Sequence, residues 1–187
     1  MMELKAIRQI PIVDSFQCES DGYSEYCIIR KDVESMGMIK AIIFDWGRTL
    51  YDSENQMLFP GTENVLQILS TLYVLVIVAL ASDGNIEKRM QVLCECGIEK
   101  YFAGVYFAQN DKDSLYELAL ARLAIAARQV AIVDDRVVRG IKWGNACGAT
   151  TIWLKRGKFM DEEPNKETGP PTYIISRLEE VCSLPLS

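Results

Sequence analysis

Apolar runs alternate with amphipathic segments from residue 38 to the end of the chain. Short runs rich in Val and Ile predict buried strands, and apolar residues spaced three or four apart predict helices. The predicted strands are Ile39–Phe44, Tyr73–Leu80, Gly104–Ala108, Val130–Asp134, Thr150–Leu154 and Thr172–Ile175. The predicted helices are Thr62–Leu72, Ile86–Cys96, a segment from an Asp113 cap to Ala126, Val137–Cys147, and a last one opened by a capping box at Ser176–Glu179.

Strict alternation of strands and helices predicts an α/β domain with a parallel, doubly wound sheet. We expect this domain to span residues 38–187. Residues 1–37 do not follow the pattern, because they combine polar clusters with one short apolar run, Tyr26–Ile29. We interpret them as an N-terminal extension of unknown role, which could form a loose hairpin or cover part of the domain.

Composition narrows the classes of function. The chain has 187 residues, a net charge of −6 and no histidine. The lack of histidine excludes Ser-His-Asp and Cys-His catalysis, and with them His-ligated zinc. An acidic chain does not favour nucleic acid or an anionic membrane as a partner. The most apolar stretch, Leu72–Ala81, is much shorter than the ~20 residues that span a bilayer.

Six cysteines and an N-terminus without an apolar leader-like run predict free thiols in a cytoplasmic protein. Cys94 and Cys96 lie two residues apart, which is half of a metal-binding pattern. No second cysteine pair with metal-ligand spacing follows, so we interpret both as small residues late in a helix.

Chemically active side chains follow three of the predicted strands. Asp45 comes after the first strand, Ser82 after the second, and Asp134 and Asp135 stand at the end of the fourth. Lys112 precedes a predicted helix. Because the carboxyl ends of parallel strands meet at one crevice, we expect these five side chains to converge. Each of them taken alone could instead be a turn residue or a solvated surface residue.

A carboxylate, a hydroxyl and an ammonium in one crevice suit phosphoryl transfer. Asp45 could attack phosphorus and form an aspartyl-phosphate. Ser82 could donate a hydrogen bond to a phosphoryl oxygen, and Lys112 could neutralise the charge of both nucleophile and phosphoryl group. Asp134 and Asp135 repel each other unless a cation lies between them. With Asp45 they offer the oxygen ligands that Mg²⁺ prefers.

Taken in order, the segments FDWGRTL, LASDGN, NDKDSLYELA and VAIVDDR resemble the motifs of the haloacid dehalogenase-like (HAD) superfamily of hydrolases. The resemblance covers about residues 38–184. It implies a three-layer Rossmann-like core whose parallel sheet has the strand order 5-4-1-2-3. The short gaps between the motifs leave no room for an inserted cap domain, so we expect a site covered at most by a flap around Tyr51–Phe59.

The resemblance also implies a role for each site residue. The catalytic residues would be Asp45, Ser82 and Lys112. The phosphoryl group would be bound by Ser82 and Lys112, by Trp46 and Gly47, which follow Asp45, and by Asp83, which follows Ser82.

The metal implied by the resemblance is Mg²⁺. Its ligands would be Asp45, the backbone carbonyl of Gly47, Asp134 and Asp135. We expect Asp134 to bind the ion directly, and Asp135 to bind it directly or through water.

Gly47 departs from the pattern of HAD phosphatases, which carry an Asp two residues after the nucleophile. That Asp protonates the leaving oxygen and then activates water, and a general acid/base of this kind is worth ~10²- to 10⁴-fold in rate. Arg48 follows Gly47 and could compensate electrostatically without supplying a base.

Basic residues cluster after the last two core strands. They could hold an anionic substrate at the crevice, or form a solvated helix face and a charged loop. They are Arg136, Arg139, Lys142, Lys155, Arg156 and Lys158.

These observations predict a Mg²⁺-dependent HAD-like hydrolase that acts on a phosphoester through an aspartyl-phosphate on Asp45. The alternative is a HAD-fold protein with little or no turnover and a binding or regulatory role, because Gly47 supplies no acid/base. Dehalogenation at Asp45 is a third, weaker alternative. The substrate could be a phosphorylated small molecule or a macromolecule, and a homo-oligomer could close an open site.

Overall fold

The computed structural model describes residues 24–26, 39–81 and 83–186. They form one large sheet with helices on both faces, and a small hairpin beside it. The strands are β1 (Ser24–Tyr26), β2 (Ala41–Phe44), β3 (Tyr51–Asp52), β4 (Met57–Leu58), β5 (Val74–Leu80), β6 (Phe102–Ala108), β7 (Val130–Asp134), β8 (Thr150–Leu154) and β9 (Tyr173–Ile175). The α-helices are α1 (Thr62–Leu69), α2 (Ile86–Glu95), α3 (Lys112–Leu123) and α4 (Lys142–Cys147).

The large sheet has the strand order β1-β6-β5-β2-β7-β8-β9. All of its strands from β2 onward run parallel. The five strands β8-β7-β2-β5-β6 confirm the predicted order 5-4-1-2-3, and β9 extends it beside β8. β1 pairs antiparallel with β6 at the other edge. The remainder of residues 1–37 lies outside the described residues, so the proposed extension and its loose hairpin stay a prediction.

Alternate residues of the central strands face opposite helical layers, which explains their continuous apolar runs. Ile42 and Phe44 of β2 pack in the layer that contains α1 and α2, whereas Ala41 and Ile43 pack against α3. All four side chains are buried. A parallel strand covered on both faces needs apolar residues at every position, and the predicted three-layer core is therefore confirmed.

The start of α3 differs from the prediction by two residues. The sequence suggested Asp113 as the cap, but the carboxylate of Asp111 accepts a hydrogen bond from the backbone N–H of Ser114 and caps the helix. Lys112 is therefore the first residue of α3. The helix ends at Leu123 and not at Ala126, because Ala124 adopts a left-handed conformation with φ of 54°.

The predicted single helix Val137–Cys147 is also wrong. A π-helical turn, Val137–Ile141, precedes α4. Both carboxylate oxygens of Asp134 accept backbone hydrogen bonds here, one from the N–H of Arg136, which precedes the turn, and one from the N–H of Gly140 within it. A wide turn brings these N–H groups to the end of β7, and such turns are often found at functional sites.

The C-terminal capping box was placed one residue too early. The acceptor is Glu180 and not Glu179, since the carboxylate of Glu180 accepts hydrogen bonds from the backbone N–H groups of Ser176 and Arg177. The segment that follows is a 3₁₀ helix, Leu178–Ser183, where we predicted an α-helix. The other predicted bounds shift by at most three residues.

No second domain interrupts the core within residues 39–81 and 83–186. The connection from β2 to β5 holds only the β3–β4 hairpin and α1, and residues 109–111 link β6 to α3. The hairpin occupies the flap predicted around Tyr51–Phe59, and Tyr51 stacks on Trp46 with ring centroids 4.9 Å apart. Among the described helices, none has the length and apolar character needed to cross a bilayer.

Candidate active site

Four of the predicted site residues meet at the carboxyl end of the central strands. Asp45 follows β2, Asp134 ends β7, Asp135 follows it, and Lys112 begins α3. The Nζ atom of Lys112 lies 2.5 Å from Oδ1 of Asp45 and 2.7 Å from Oδ2 of Asp134. One carboxylate oxygen from each of the three aspartates lies within 4.8 Å of the others. The fold thus creates the predicted crevice.

Lys112 holds its positive charge between two carboxylates. Burial alone would lower the pKa of this ammonium, but Asp134 and Asp45 outweigh that effect and raise it well above the ordinary value. Burial raises the pKa of Asp45, while Lys112 acts in the opposite direction. Lys112 therefore favours the anionic form of Asp45, which burial disfavours.

Asp134 is the most completely hydrogen-bonded of the three carboxylates. Its Oδ1 accepts from the backbone N–H of Arg136 at 2.8 Å. Its Oδ2 accepts from Lys112, from the backbone N–H of Gly140 at 3.2 Å and from the hydroxyl of Tyr116 at 3.5 Å. With four donors around a fully buried group, Asp134 fixes the position of Lys112 and of the π-helical turn.

Asp135 has the opposite environment. Its Oδ2 atom is buried and has no hydrogen-bond partner among the described residues. Burial, Asp45 and Asp134 together raise the pKa of this carboxyl to about 8. A buried carboxylate oxygen without a donor is costly unless it is protonated or bound to a cation. The structure therefore fits a cation beside Asp135.

Gly47 leaves open space on one side of the site. A Cβ atom built on Gly47 would meet only the Oγ of Ser53, at an ordinary contact distance of 3.7 Å. The next residue, Arg48, has a left-handed backbone with φ of 67°. The described structure thus has room for a side chain at position 47, and glycine is not required there by conformation.

Three further residues, Trp46, Ser82 and Asp83, were predicted to bind the phosphoryl group. Ser82 lies outside the described residues, so its role stays a prediction. Asp83 is exposed, and its carboxylate accepts hydrogen bonds from the backbone of Asn85 and from Arg89. The side chain of Trp46 is buried in the core, so only its backbone could face a phosphoryl group.

The loop after β8 belongs to the predicted basic cluster, which could hold an anionic substrate or form a solvated charged surface. The guanidinium of Arg156 donates to the backbone carbonyls of Arg48 and Thr49 and lies 3.7 Å above the ring of Phe59. This contact ties the loop to both the Asp45 turn and the flap. Within the predicted basic cluster, Arg156 is therefore a structural clamp and not a solvated residue.

Phe159 and Glu162 complete the same loop. The guanidinium groups of Arg136 and Arg48 lie 3.8 Å and 5.1 Å from the Phe159 ring centroid. Glu162 accepts from the Nε of Arg136 at 2.5 Å and from the backbone N–H of Val137 at 2.7 Å. Sequence spacing could not reveal these contacts, because the loop and the strand ends are far apart along the chain.

Comparison with known proteins supports the resemblance drawn from the motifs. Residues 112–181 match the family model described as HAD-hydrolase-like. A glyceraldehyde 3-phosphate phosphatase of Methanopyrus kandleri is 26% identical over 108 residues, which is 55% of this chain and 46% of that protein. This chain therefore spans about half the length of that relative.

Solved structures show the same fold. The magnesium-bound HAD-hydrolase YfnB of Bacillus subtilis superposes with a TM-score of 0.65 at 14% identity, over 77% of this chain and 97% of that one. A predicted phosphoglycolate phosphatase from Haemophilus somnus gives 0.64 at 14% identity, over 80% and 99%. The family match and the fold together confirm the resemblance to the HAD superfamily.

Proposed function

We propose that this HAD-like chain is a Mg²⁺-dependent phosphohydrolase that forms an aspartyl-phosphate on Asp45. One observation carries the proposal: Lys112 joins Asp45 to Asp134, and Asp135 adds a buried carboxylate oxygen without a donor to the same cluster. Nucleophile, counter-ion and metal-ligand set therefore lie together. The resemblance to named phosphatases supports the same chemistry.

The residues that would hold Mg²⁺ are Asp45, Asp135 and the Gly47 carbonyl. Asp134 was the direct ligand we preferred from sequence, but its two oxygens already accept four hydrogen bonds. The open Oδ2 of Asp135 favours that residue as the direct ligand. When bound, the ion neutralises phosphoryl oxygens and the repulsion among the aspartates.

The chain's own residues account for the first half of the reaction. Asp45 attacks phosphorus in line with the departing oxygen, and the P–O bond to the leaving group breaks as the Oδ–P bond forms. Lys112 neutralises the charge of the incoming phosphoryl group, and Asp134 holds Lys112 in place. Backbone N–H groups of the Asp45 turn and, by prediction, Ser82 would stabilise the equatorial oxygens.

We propose a phosphorylated small molecule as the substrate, since the relatives are named for such compounds. A macromolecular substrate, a homo-oligomer that closes the open site and a cytoplasmic location stay predictions. The alternative of a binding protein with little turnover retains one observation in its favour, the missing side chain at Gly47.

Replacing Asp45 with Asn should abolish Mg²⁺-dependent phosphate release from an aryl phosphate. Losing a nucleophile removes the covalent route, and losses of ~10⁴-fold or more are typical of such groups. An aryl phosphate is the right probe because its leaving group needs little help from an acid. Phosphate release is measured for both proteins at saturating Mg²⁺. Equal rates would overturn the proposed function, whereas binding of Mg²⁺ without Asp45-dependent release would favour the binding protein.

Thermal stabilisation by Mg²⁺ should grow as pH rises from about 6 to about 9. Burial, Asp45 and Asp134 raise the pKa of Asp135 to about 8, so without metal the folded state is more stable when this carboxyl is protonated. This contribution to stability is complete below the ordinary pKa of the carboxyl and is lost as pH rises through about 8. Mg²⁺ binds the deprotonated carboxylate, so its binding strengthens as pH rises. Burial also raises the pKa of Asp45, which adds to the same pH dependence.

The measurement is the Mg²⁺-induced shift in melting temperature of wild type and Asp135→Asn. The Asn variant should lose most of the shift, because an amide is a weaker ligand for Mg²⁺ and carries no charge. A shift that is the same at every pH, or one that is undiminished in the variant, would count against Asp135 as a ligand.

A further inference from the structure

We propose that the phosphoryl group on Asp45 outlasts the reaction that attaches it, so that Asp45 is a durable phosphorylation site charged by donors with acidic leaving groups, such as acyl phosphates. The inference rests on the proposed function through the nucleophile Asp45. It adds a second property, namely that the first half of the reaction runs much faster than the second.

The second half of the reaction needs a base, because water must lose a proton as it attacks the aspartyl-phosphate. The chain has no histidine. Lys112 is a cation held by two carboxylates at 2.5 and 2.7 Å, so it cannot accept a proton. The phenol of Tyr116 is buried, donates to Asp134 and stacks on Trp143. Neither neighbour of Asp45 can therefore activate water.

The nearby carboxylates are engaged as well. Asp134 accepts four hydrogen bonds, and Glu162 binds Arg136 and the backbone N–H of Val137. Asp135 belongs to the carboxylate set that would hold the cation, and its open oxygen is suited to bind it. None of these three carboxylates is therefore free to serve as the base.

The face of the site at Gly47 offers no substitute. The Cβ position of Gly47 is 3.7 Å from the hydroxyl of Ser53 and contacts no carboxylate. On the flap, the carboxylate of Asp52 is turned into its own loop, where it accepts hydrogen bonds from Glu54 and Asn55. A hydroxyl can orient water but is too weak a base to deprotonate it.

The lack of a general acid also restricts which phosphoryl donors can react. Without an acid, the leaving group departs as an anion, so carboxylates and other acidic groups leave readily and alkoxides do not. Arg48 follows the Asp45 turn and adds a positive charge. Its Nε is buried without a hydrogen-bond partner among the described residues, and its guanidinium lies 5.1 Å from the centroid of the Phe159 ring.

Phosphorylation of Asp45 and its later hydrolysis are two separate displacements at phosphorus. An Asp45 oxygen attacks the phosphorus of an acyl phosphate, the P–O bond to the acyl group breaks, and the carboxylate leaves with the electron pair. Later, water attacks the same phosphorus, the P–O bond to Asp45 breaks, and the water proton passes to solvent. Only this later step needs the missing base, and a general base is worth ~10²- to 10⁴-fold.

The test uses acetyl phosphate as the donor, with the full chain and Mg²⁺. The covalent phosphoprotein is quantified by intact mass after acid quenching, and its decay is followed once the donor is removed. The variants are Asp45→Asn, Gly47→Asp and Gly47→Asn. Gly47→Asn adds the same bulk as Gly47→Asp but supplies no base. We expect wild type to hold the label, Gly47→Asp to lose it ~10²- to 10⁴-fold faster than Gly47→Asn, and Asp45→Asn to stay unlabelled.

The outcomes separate the two proposals. Asp45-dependent turnover with no accumulated label in wild type would overturn this inference and leave the proposed function standing. Equal decay in Gly47→Asp and Gly47→Asn would also overturn it, since the rate would then not depend on a base at position 47. Neither label nor phosphate release in any protein would overturn both proposals.

Discussion

Replacing Lys112 with Met should lower the free energy of unfolding by about 3–5 kcal/mol at neutral pH, as is typical when one partner of a buried ion pair is removed. Met has a similar length and apolar stem, so the change removes charge and leaves little empty space. What remains is a pair of buried carboxylates, Asp45 and Asp134, which lose the ammonium that lies 2.5 and 2.7 Å from them.

The loss of unfolding free energy in Lys112→Met should be smaller at acidic pH. Burial raises the pKa of Asp45 and Lys112 lowers it, so without Lys112 the folded-state pKa of Asp45 lies further above its unfolded value. Groups with a raised pKa favour the folded state below the unfolded pKa, and that contribution disappears as pH rises through the folded pKa. The variant should therefore approach wild type near pH 5 and fall furthest below it above pH 7. Activity should fall with it, because the phosphoryl charge loses its counter-ion.

Urea unfolding at both pH values measures the effect. Lys88→Met is the matched control, since Lys88 is exposed on α2, and surface changes of this kind stay within about 0.5 kcal/mol. The double variant Lys112→Met/Asp134→Asn should cost less than the sum of the single changes, because the second change removes a charge that the first left unpaired. A pH-independent loss, or full additivity, would show that Lys112 acts through packing alone.

Much of this fold can be predicted from the sequence because the sheet is buried on both faces. The runs Ala41–Phe44 and Val74–Leu80 consist of apolar residues, and two-sided burial is the physical cause. Parallel strands end on one edge, so a residue placed just after such a run has a predictable location. This is why Asp45, Asp134 and Asp135 could be assigned to one crevice.

The structure adds what depends on long-range contacts. The choice between Asp134 and Asp135 as metal ligand rests on which carboxylate the π-helical turn and Lys112 already occupy, and spacing carries no information about that. The clamp from Arg156 to the carbonyls of Arg48 and Thr49 joins segments more than a hundred residues apart. Asp111 and Asp113 are equally good cap residues by composition, so the sequence could not show that Asp111 caps α3.

Installing Asp at position 47 should raise kcat/KM for an alkyl phosphomonoester by about 10²- to 10⁴-fold, the range expected for one general acid/base. An alkoxide is a poor leaving group, so its departure depends on a proton donor that wild type lacks. A p-nitrophenolate-type leaving group departs without that proton, so kcat/KM for an aryl phosphate should rise less. The gain for an aryl phosphate should appear in kcat, through hydrolysis of the aspartyl-phosphate.

The substitution suits this backbone. Gly47 does not have a positive φ, and a Cβ atom at this position would make one ordinary contact with Ser53. Any cost should instead come from a further carboxylate close to Asp45 and Asp135, and saturating Mg²⁺ should offset that repulsion. Melting temperatures with and without Mg²⁺ would therefore accompany the kinetic data.

The Gly47→Asn variant shows whether a gain in rate comes from the acid/base function of Asp or from the space that its side chain fills. It fills the same space and offers similar hydrogen bonds, but it can neither donate a proton as an acid nor accept one as a base at neutral pH. If only Asp raises the rate, and raises it more as the leaving group becomes less acidic, wild type is a phosphohydrolase scaffold that lacks one catalytic group. If Asn raises the rate equally, the effect is one of shape or hydration. If neither changes it while Mg²⁺ still binds, the missing carboxylate does not limit turnover, and the binding role becomes the better account of Asp45, Lys112 and Asp135.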